Sequence, residues 1–283
     1  MKIAIGGKGG AGKTTLCALL AETYSETGRR VLAVDTDPSP SLAQALAVPD
    51  QVRSALHPIA EMGDLIEDRT GARPGATGSF FTLNPRVDDL PDRFSVVHRG
   101  IRLLEMGRVE SGGSGCICPE SALLRALLAQ LLYRPDEVLL LDMYAGVEHL
   151  SRSTVDFVDA LVVVIEPTRR SLLVAAQIET MARDIGLDRI WPVGNRIRNR
   201  EDREFLESAV GPLLGYLPDD PAAIDADRDR TPVYQASGQL RTAAAAIAGE
   251  LDRVVRSEQQ GISAPGGAAS PFLTAGGSTG DGR

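Results

Sequence analysis

The sequence has no apolar run that approaches the about 18 to 20 residues a membrane helix requires, which excludes a membrane-spanning protein. Positive charge is also scarce, because 30 lysines and arginines stand against 38 acidic residues, for a formal net charge of -8. This balance disfavours nucleic-acid binding through the phosphate backbone, which depends on clustered basic side chains. The first residues lack the basic and apolar regions of a signal peptide, so we expect a cytoplasmic protein with reduced thiols.

The length of 283 residues suits one large α/β domain or two small ones, and 43% hydrophobic content is ordinary for a globular protein. We predict one domain over residues 1–256, closed by an alanine-rich helix over 235–256. From residue 257 the composition shifts to Gly, Ser, Ala and Pro, which predicts a disordered tail over 257–283. The tail contains no basic amphipathic helix of the kind that binds membranes.

The strongest motif lies near the N-terminus, where residues 6–15 read Gly-Gly-Lys-Gly-Gly-Ala-Gly-Lys-Thr-Thr. They follow the short apolar strand Lys2–Ile5 and open a helix predicted over 16–27. This context predicts a phosphate loop, because glycines let backbone N–H groups approach phosphate oxygens and the helix N-terminus attracts them. The predicted nucleotide-binding residues of the loop are Gly7, Lys8, Gly9, Gly10, Ala11, Gly12, Lys13, Thr14 and Thr15.

Two side chains of the loop have specific predicted roles. Lys13 is expected to reach the β- and γ-phosphates of the nucleotide, and the Thr14 hydroxyl is expected to ligate Mg²⁺, which prefers hard oxygen ligands. The apolar strand that ends at Asp142 places this acid in the Walker B position, where it contacts the magnesium shell. Ligands of doubly wound sheets bind beyond the carboxyl ends of the strands, which is where Asp142 falls.

Alternating strands and helices continue along the chain and predict an α/β fold, with a doubly wound, mostly parallel sheet around a phosphate-loop NTPase core. Phe80–Leu83 is a weaker strand candidate than the others. The remaining predicted strands cover residues 30–35, 100–106, 137–142, 160–167, 189–195 and 213–218.

Two of the three cysteines, Cys116 and Cys118, lie in a Gly/Ser-rich loop over 107–120. Pro119 suits the first turn of a helix predicted to run to about residue 132, and a helix N-terminus favours the thiolate form. Two thiolates are too few for a tetrahedral site, and a second copy of the chain on a two-fold axis can supply two more. Four thiolates select zinc, nickel(II) or copper(I). Two inert cysteines or a redox pair are the alternatives, and Cys17 is predicted to be a buried apolar residue.

The second lysine of the loop, Lys8, makes it similar to the deviant phosphate loop of the nitrogenase-iron-protein, MinD and ParA superfamily. This resemblance implies that Lys8 crosses a dimer interface to the nucleotide of the partner; the alternative is a solvated lysine that assists its own phosphates. Asp37-Pro38 resembles the first switch, which implies that Asp37 orients or deprotonates the attacking water, with a turn or helix-cap role as the alternative. Ala145-Gly146 resembles the second switch, where the Gly146 N–H meets the γ-phosphate.

The pair Asn195-Arg196 resembles the base-recognition motif of the same superfamily, in which the asparagine amide pairs with adenine. No aspartate follows at the spacing of a guanine-reading motif, so ATP is favoured over GTP. For His149, a switch or helix-cap role is preferred to that of a metal ligand or a base.

The order of these motifs, together with the Cys-Pro-Glu loop and Ala-Gly-Val-Glu-His-Leu in the second switch, resembles the CooC-type ATPases. This resemblance implies a nucleotide- and metal-dependent homodimer that hydrolyses ATP to ADP with Mg²⁺. It also implies that Cys116 and Cys118 of both subunits bind one Ni²⁺ or Zn²⁺ ion, and that the client is carbon monoxide dehydrogenase or a related nickel enzyme. A MinD/ParA-like positioning or partition ATPase is the main alternative, and an iron-sulfur reductase of the nitrogenase type is a further one.

Overall fold

The computed structural model describes residues 1–75, 80–107, 118–133, 137–144, 150 and 155–260. Within these residues, eight strands form a single sheet in the order β3-β4-β2-β5-β1-β6-β7-β8. Every neighbouring pair is parallel except β3 and β4. The predicted doubly wound, mostly parallel fold is therefore confirmed. The strands are β1 (Lys2–Gly7), β2 (Val31–Asp35), β3 (Val96–His98), β4 (Ile101–Glu105), β5 (Val138–Asp142), β6 (Ala160–Ile165), β7 (Ile190–Ile197) and β8 (Gly215–Pro218).

Helices cover both faces of the sheet. The core on one face contains apolar residues of α1 and α11, and the core on the other face contains those of α6, α7 and α8. Because both faces are covered, the central strands β1, β2, β5 and β6 are buried along their whole length and consist largely of apolar residues. The helices are α1 (Lys13–Glu26), α2 (Leu42–Ala45), α3 (Asp50–Arg53), α4 (Gly63–Thr70), α5 (Leu90–Phe94), α6 (Pro119–Tyr133), α7 (Arg169–Asp184), α8 (Arg200–Val210), α9 (Ala222–Asp229), α10 (Val233–Ala236) and α11 (Gly238–Gln259).

Two local predictions differ from the structure. The strand predicted at Phe80–Leu83 is wrong, because this segment pairs with no strand in the described residues and the Phe80 side chain is fully exposed. The helix predicted over 235–256 is interrupted at Ser237, whose hydroxyl accepts a hydrogen bond from the Leu240 N–H at 3.0 Å and caps α11. That helix continues to Gln259, three residues beyond the predicted end, and residues 261–283 of the predicted tail lie outside the described part of the chain.

The sheet topology determines where a ligand can bind. Strands β5, β2 and β4 lie on one side of β1, and β6, β7 and β8 lie on the other, so the order of strands reverses at β1. In such sheets, the crevice at the carboxyl ends beside the reversal point is the usual ligand site. Helices that connect parallel strands run back along the sheet, so α1, α6 and α7 begin at this same edge. None of the helices in the described residues is long and apolar enough to span a membrane.

Candidate nucleotide site

The phosphate loop connects β1 to α1 and is packed tightly against β6 and β7. Gly7 has φ +149°, and a Cβ atom there would lie 2.6 Å from the carbonyl oxygen of Val164 in β6. Gly12 has φ +96°, and its Cβ would lie 2.1 Å from Asn195 Nδ2 in β7. A side chain is therefore strongly disfavoured at both positions, by the backbone conformation and by the lack of space. These glycines let the loop reach the carboxyl edge of the two strands.

The two lysines of the loop have different surroundings. Lys13 is buried, and its Nζ donates to the carbonyl oxygen of Lys8 at 3.4 Å. Burial lowers the pKa of the Lys13 ammonium, while the carboxylates of Asp142 and Asp37 act in the opposite direction. Lys8 is about one-third exposed, and its Nζ lies 3.5 Å from Glu166 Oε2. Lys13 therefore points towards the acids beside β1, and Lys8 contacts the end of β6.

Asp142 lies at the carboxyl end of β5 and is paired in register with Ile5 of β1 and Asp35 of β2. Burial raises the pKa of its carboxyl to about 7, and Asp35 adds to this shift, whereas a hydrogen bond with Thr14 and the charge of Lys13 oppose it. Its Oδ1 atom is buried and has no hydrogen-bond partner among the described residues. A buried carboxylate oxygen without a partner, beside a threonine hydroxyl, fits the ligand set of Mg²⁺.

Asp35 fixes the turn that follows β2. Its carboxylate accepts hydrogen bonds from the N–H groups of Asp37 at 2.9 Å, Ser41 at 2.8 Å and Leu42 at 2.9 Å. Burial raises the Asp35 pKa, and these backbone donors oppose the shift. This role of Asp35 was not predicted, although an acid at the end of an apolar strand is a signal that could have indicated it.

Asp37 itself is half-buried, and its Oδ1 accepts a hydrogen bond from the Ser39 N–H at 2.8 Å. Asp37 is thus a turn residue in this structure, which is the role that was given as the alternative to directing water. The second carboxylate oxygen leaves a water-directing role open, and that role stays a prediction. In the adjoining turn, Ser41 Oγ lies 3.4 Å from Thr14 Oγ1, which connects the turn to the first residues of α1.

Asn195 and Arg196 lie in β7 next to the phosphate loop. The buried Asn195 amide donates from Nδ2 to the carbonyl oxygen of Ala11 at 2.6 Å, which leaves Oδ1 as its acceptor. Arg196 has φ +56°, in the left-handed region, where β7 is irregular between Gly194 and Ile197. Its guanidinium donates to Glu166 Oε1. The adenine-reading role of Asn195 and Arg196 stays a prediction, and the contact of Glu166 was not foreseen.

Cys118 is the residue immediately before α6. Its carbonyl oxygen accepts the first helical hydrogen bond, from the Ala122 N–H at 3.0 Å, and its partly exposed Sγ lies 3.1 Å from Ser121 Oγ. Because α6 leads into β5, its N-terminus lies at the carboxyl edge of the sheet, as the phosphate loop does. Cys17 is buried in α1, as predicted.

Several predicted site residues fall outside the described chain. These are Cys116 in the loop before α6, and Gly146 and His149 after β5. Among the residues that the structure does describe, no group of three or more His, Cys, Asp or Glu side chains could hold a metal ion. Cys118 alone therefore does not form a closed thiolate site within one described chain.

Comparisons with known proteins agree with this geometry. Residues 2–233 match the family described as the CobQ/CobB/MinD/ParA nucleotide binding domain. The chain is 47% identical over 266 residues to the carbon monoxide dehydrogenase accessory protein CooC of Rhodospirillum rubrum, covering 93% of this chain and 100% of that protein. It is 43% identical over 232 residues to an uncharacterized ATP-binding protein of Methanocaldococcus jannaschii, covering 80% and 88%. Among solved structures, the MinD cell division protein of Aquifex aeolicus aligns with a TM-score of 0.62 at 19% identity, covering 93% of this chain and 98% of that one.

Proposed function

The chain belongs to the CobQ/CobB/MinD/ParA nucleotide-binding family, among the CooC-type ATPases, and on this premise we propose that it is an ATP-dependent metal carrier for a nickel enzyme. It is an ATPase with a MinD/ParA-like phosphate-loop fold. We propose that its cargo is a Ni²⁺ or Zn²⁺ ion held between two subunits. The proposed client is carbon monoxide dehydrogenase or a related nickel enzyme.

The observation that carries the client assignment is the 47% identity to CooC over 93% of the chain. The alignment covers the whole length of that protein, so the likeness is not confined to one part of it. The MinD likeness at 19% identity shows the fold and no more. No specific feature of the described residues favours a positioning or partition role.

ATP binding in this proposal uses the loop between β1 and α1. The N–H groups of residues 7–15 face the phosphates, Lys13 moves from the Lys8 carbonyl oxygen to the β- and γ-phosphates, and Asn195 Oδ1 meets the adenine amino group. Thr14 and Asp142 hold Mg²⁺, which supplies charge neutralisation to the phosphates. The unpartnered Oδ1 of Asp142 and the hydrogen bond between Thr14 and Asp142 support this ligand pair.

Hydrolysis in this proposal depends on the turn that Asp35 holds in place. Asp37 lies in that turn and directs the attacking water towards the γ-phosphate, which is transferred to water to give ADP and phosphate. Gly146 follows β5 in the sequence, and its N–H is proposed to contact the γ-phosphate. Loss of that phosphate removes this contact. A ligand that binds one arrangement better shifts the equilibrium between two arrangements, so the nucleotide controls subunit pairing.

The cargo site in this proposal forms only between two copies. Cys116 and Cys118 of each subunit supply four thiolates, a donor set that suits Zn²⁺ or Ni²⁺ and disfavours Mg²⁺. The position of Cys118 immediately before α6, with a partly exposed sulfur, supports this, because the thiol lies at the edge of the sheet where a second copy can approach it. Since α6 begins at the same edge as the phosphate loop, pairing across that edge can bring both sites to one interface.

We test the cargo site by counting metal. The chain is incubated with Ni²⁺ or Zn²⁺, Mg²⁺ and a non-hydrolysable ATP analogue, desalted, and assayed for metal and protein. The expected result is one transition-metal ion for two chains, lost in Cys116→Ala/Cys118→Ala and in Cys118→Ala. Cys17→Ala is the matched control, because it removes a buried thiol outside the site. Retention of the metal by the double variant would overturn the proposed cargo site.

The client is tested separately with metal-depleted carbon monoxide dehydrogenase. The wild-type chain with ATP and Ni²⁺ is expected to speed its activation, and the Cys116→Ala/Cys118→Ala variant is expected to have no effect. Equal activation by both proteins would contradict a carrier role. We also propose that residues 1–256 hold all of these functions, and a chain ending after Gln259, where α11 ends, is expected to keep them.

A further inference from the structure

The contact between β6 and the phosphate loop contains an acid to which the proposed mechanism gives no role. Glu166 follows the last residue of β6, and its side chain is only 10% exposed. One carboxylate oxygen lies 3.5 Å from Lys8 Nζ, and the other accepts a hydrogen bond from Arg196. Glu166 is thus shared between the second lysine of the phosphate loop and a cation of β7.

The local backbone holds Glu166 in this position. Its N–H donates to Ser171 Oγ at 2.9 Å, and its carbonyl oxygen accepts from the Thr168 N–H at the start of α7. Pro167 lies between them and fixes one backbone dihedral. The carboxylate is therefore anchored by the end of β6 and the first turn of α7, and it cannot easily follow Lys8 if the lysine moves.

Arg196 is brought to Glu166 by an irregular backbone. Its φ of +56° is uncommon for a residue with a side chain, and it occurs where the pairing of β7 and β8 shifts register. Irregularities of this kind redirect a side chain and persist where the surrounding structure compensates for their cost. Arg196 and Lys8 therefore share one anchored carboxylate, with each cation on a different oxygen.

We propose that Glu166 is a positioning residue that holds Lys8 on its own subunit and so sets the threshold for nucleotide-dependent pairing. This inference rests on the proposed nucleotide-dependent pairing and on the role of Lys8 that the resemblance to the deviant phosphate loop implies, in which Lys8 reaches the nucleotide of the partner. To do so, Lys8 must leave Glu166, and each dimer requires this release twice. Arg196 weakens the ion pair between Glu166 and Lys8, because its positive charge partly neutralises the same carboxylate.

The first test reads the Glu166–Lys8 contact directly. The only lysines of the chain are Lys2, Lys8 and Lys13, so acetylation of Lys8 by a mild amine reagent can be followed by peptide mass spectrometry. A lysine-containing peptide added to each reaction serves as an internal standard for the reactivity of the reagent. Because the ion pair shields the amine, Glu166→Gln is expected to speed Lys8 acetylation about threefold, the size typical of a partly exposed pair. Glu204→Gln is the matched control, because it removes an equal charge from an exposed pair with Arg200.

The second test measures pairing by sedimentation with Mg²⁺ and a saturating non-hydrolysable ATP analogue. Two released lysines per dimer make the expected fall in the dimer dissociation constant about tenfold for Glu166→Gln, again on the scale of partly exposed pairs. Glu166→Asp keeps the charge but shortens the reach, so it is expected to fall between the wild type and Glu166→Gln. If Glu166→Gln does not fold, Glu166→Asp is used in its place.

A third variant separates positioning from a structural role. Arg196→Met leaves Glu166 with Lys8 alone, so it is expected to slow Lys8 acetylation and raise the dimer dissociation constant, opposite to Glu166→Gln. If Glu166 only supports the fold, the two variants shift both readouts in the same direction, which overturns the inference. If the wild-type chain pairs but Glu166→Gln gives the same acetylation rate and dimer dissociation constant as Glu204→Gln, this inference is overturned and the proposed function is not. A chain that never pairs overturns the proposed function as well.

Discussion

The two halves of the carboxyl edge of the sheet have opposite character. On one side of β1, strands β5, β2 and β4 end in the buried acids Asp142, Asp35 and Glu105, and burial raises the pKa of each carboxyl. On the other side, the carboxylate of Glu166 follows β6 and is paired with two cations, and the buried amide of Asn195 lies in β7 beside the phosphate loop. The acidic half contains the proposed Mg²⁺ ligand Asp142, and the other half contains the residues proposed to recognise adenine and to hold Lys8. The phosphate loop lies between them and can serve both.

The largest expected effect comes from neutralising one of the three acids in the acidic half. Asp142→Asn removes the proposed Mg²⁺ ligand, and loss of such charge stabilisation is expected to lower steady-state ATP hydrolysis about 10²- to 10³-fold. Glu105→Gln is the matched control, since it neutralises a buried acid two strands away, at the end of β4. It is expected to retain hydrolysis within about threefold of the wild type, the effect of a change outside the site. Equal losses in both variants would show that the row of acids acts only as a unit.

The next effect concerns the glycines between the two halves. Gly12→Ala is expected to lower the free energy of unfolding by about 2 to 3 kcal/mol, because φ is positive and the new Cβ meets Asn195. Gly9→Ala is the control, since its Cβ would meet no atom within 4 Å, and its expected cost is below about 1 kcal/mol. Urea unfolding measures both. Adding Asn195→Ala to Gly12→Ala is expected to recover part of the loss, and strictly additive costs would contradict the clash.

The acidic half also predicts a pH dependence of stability. Folded Asp142 keeps its proton up to about pH 7, whereas the unfolded carboxyl releases it near 3.8, so the folded state binds more protons between these values. The free energy of unfolding therefore falls as the pH rises through this window, by up to about 1.4 kcal/mol per pH unit for one proton. Unfolding by urea at pH 5 to 8, with EDTA and no nucleotide, measures the slope. Asp142→Asn is expected to flatten it, and an unchanged slope would assign it to other groups.

The smallest effects compare two asparagines near the end of β7. Asn195→Ala is expected to raise the ATP dissociation constant about tenfold, through the loss of one or two hydrogen bonds. Asn199 instead caps α8, with its side chain accepting from the Asp202 N–H at 2.9 Å. Asn199→Ala is expected to cost about 1 kcal/mol of stability and to leave ATP affinity unchanged. Titration calorimetry measures the ATP dissociation constant of both variants. Equal values would contradict the role of Asn195 in binding adenine.

The sequence was sufficient to predict the sheet because its strands are buried on both faces and consist mostly of apolar residues. Val138–Asp142 and Ala160–Ile165 were identifiable for that reason, and the glycine spacing identified the phosphate loop. Phe80–Leu83 was mistaken for a strand because a short apolar run carries no information about its pairing partner. The pairing of Glu166 with Lys8 and Arg196 was not predictable either, since it depends on the packing of the loop on β6 and on the irregular backbone of β7.

The central claim is that the nucleotide controls whether two copies of this chain pair across the carboxyl edge. Sedimentation equilibrium of the wild-type chain with Mg²⁺, compared between a non-hydrolysable ATP analogue and ADP, tests it most directly. The account predicts a particle of twice the 30.1 kDa chain mass with the ATP analogue and a single chain with ADP. The same mass with both nucleotides, whether one chain or two, would contradict it.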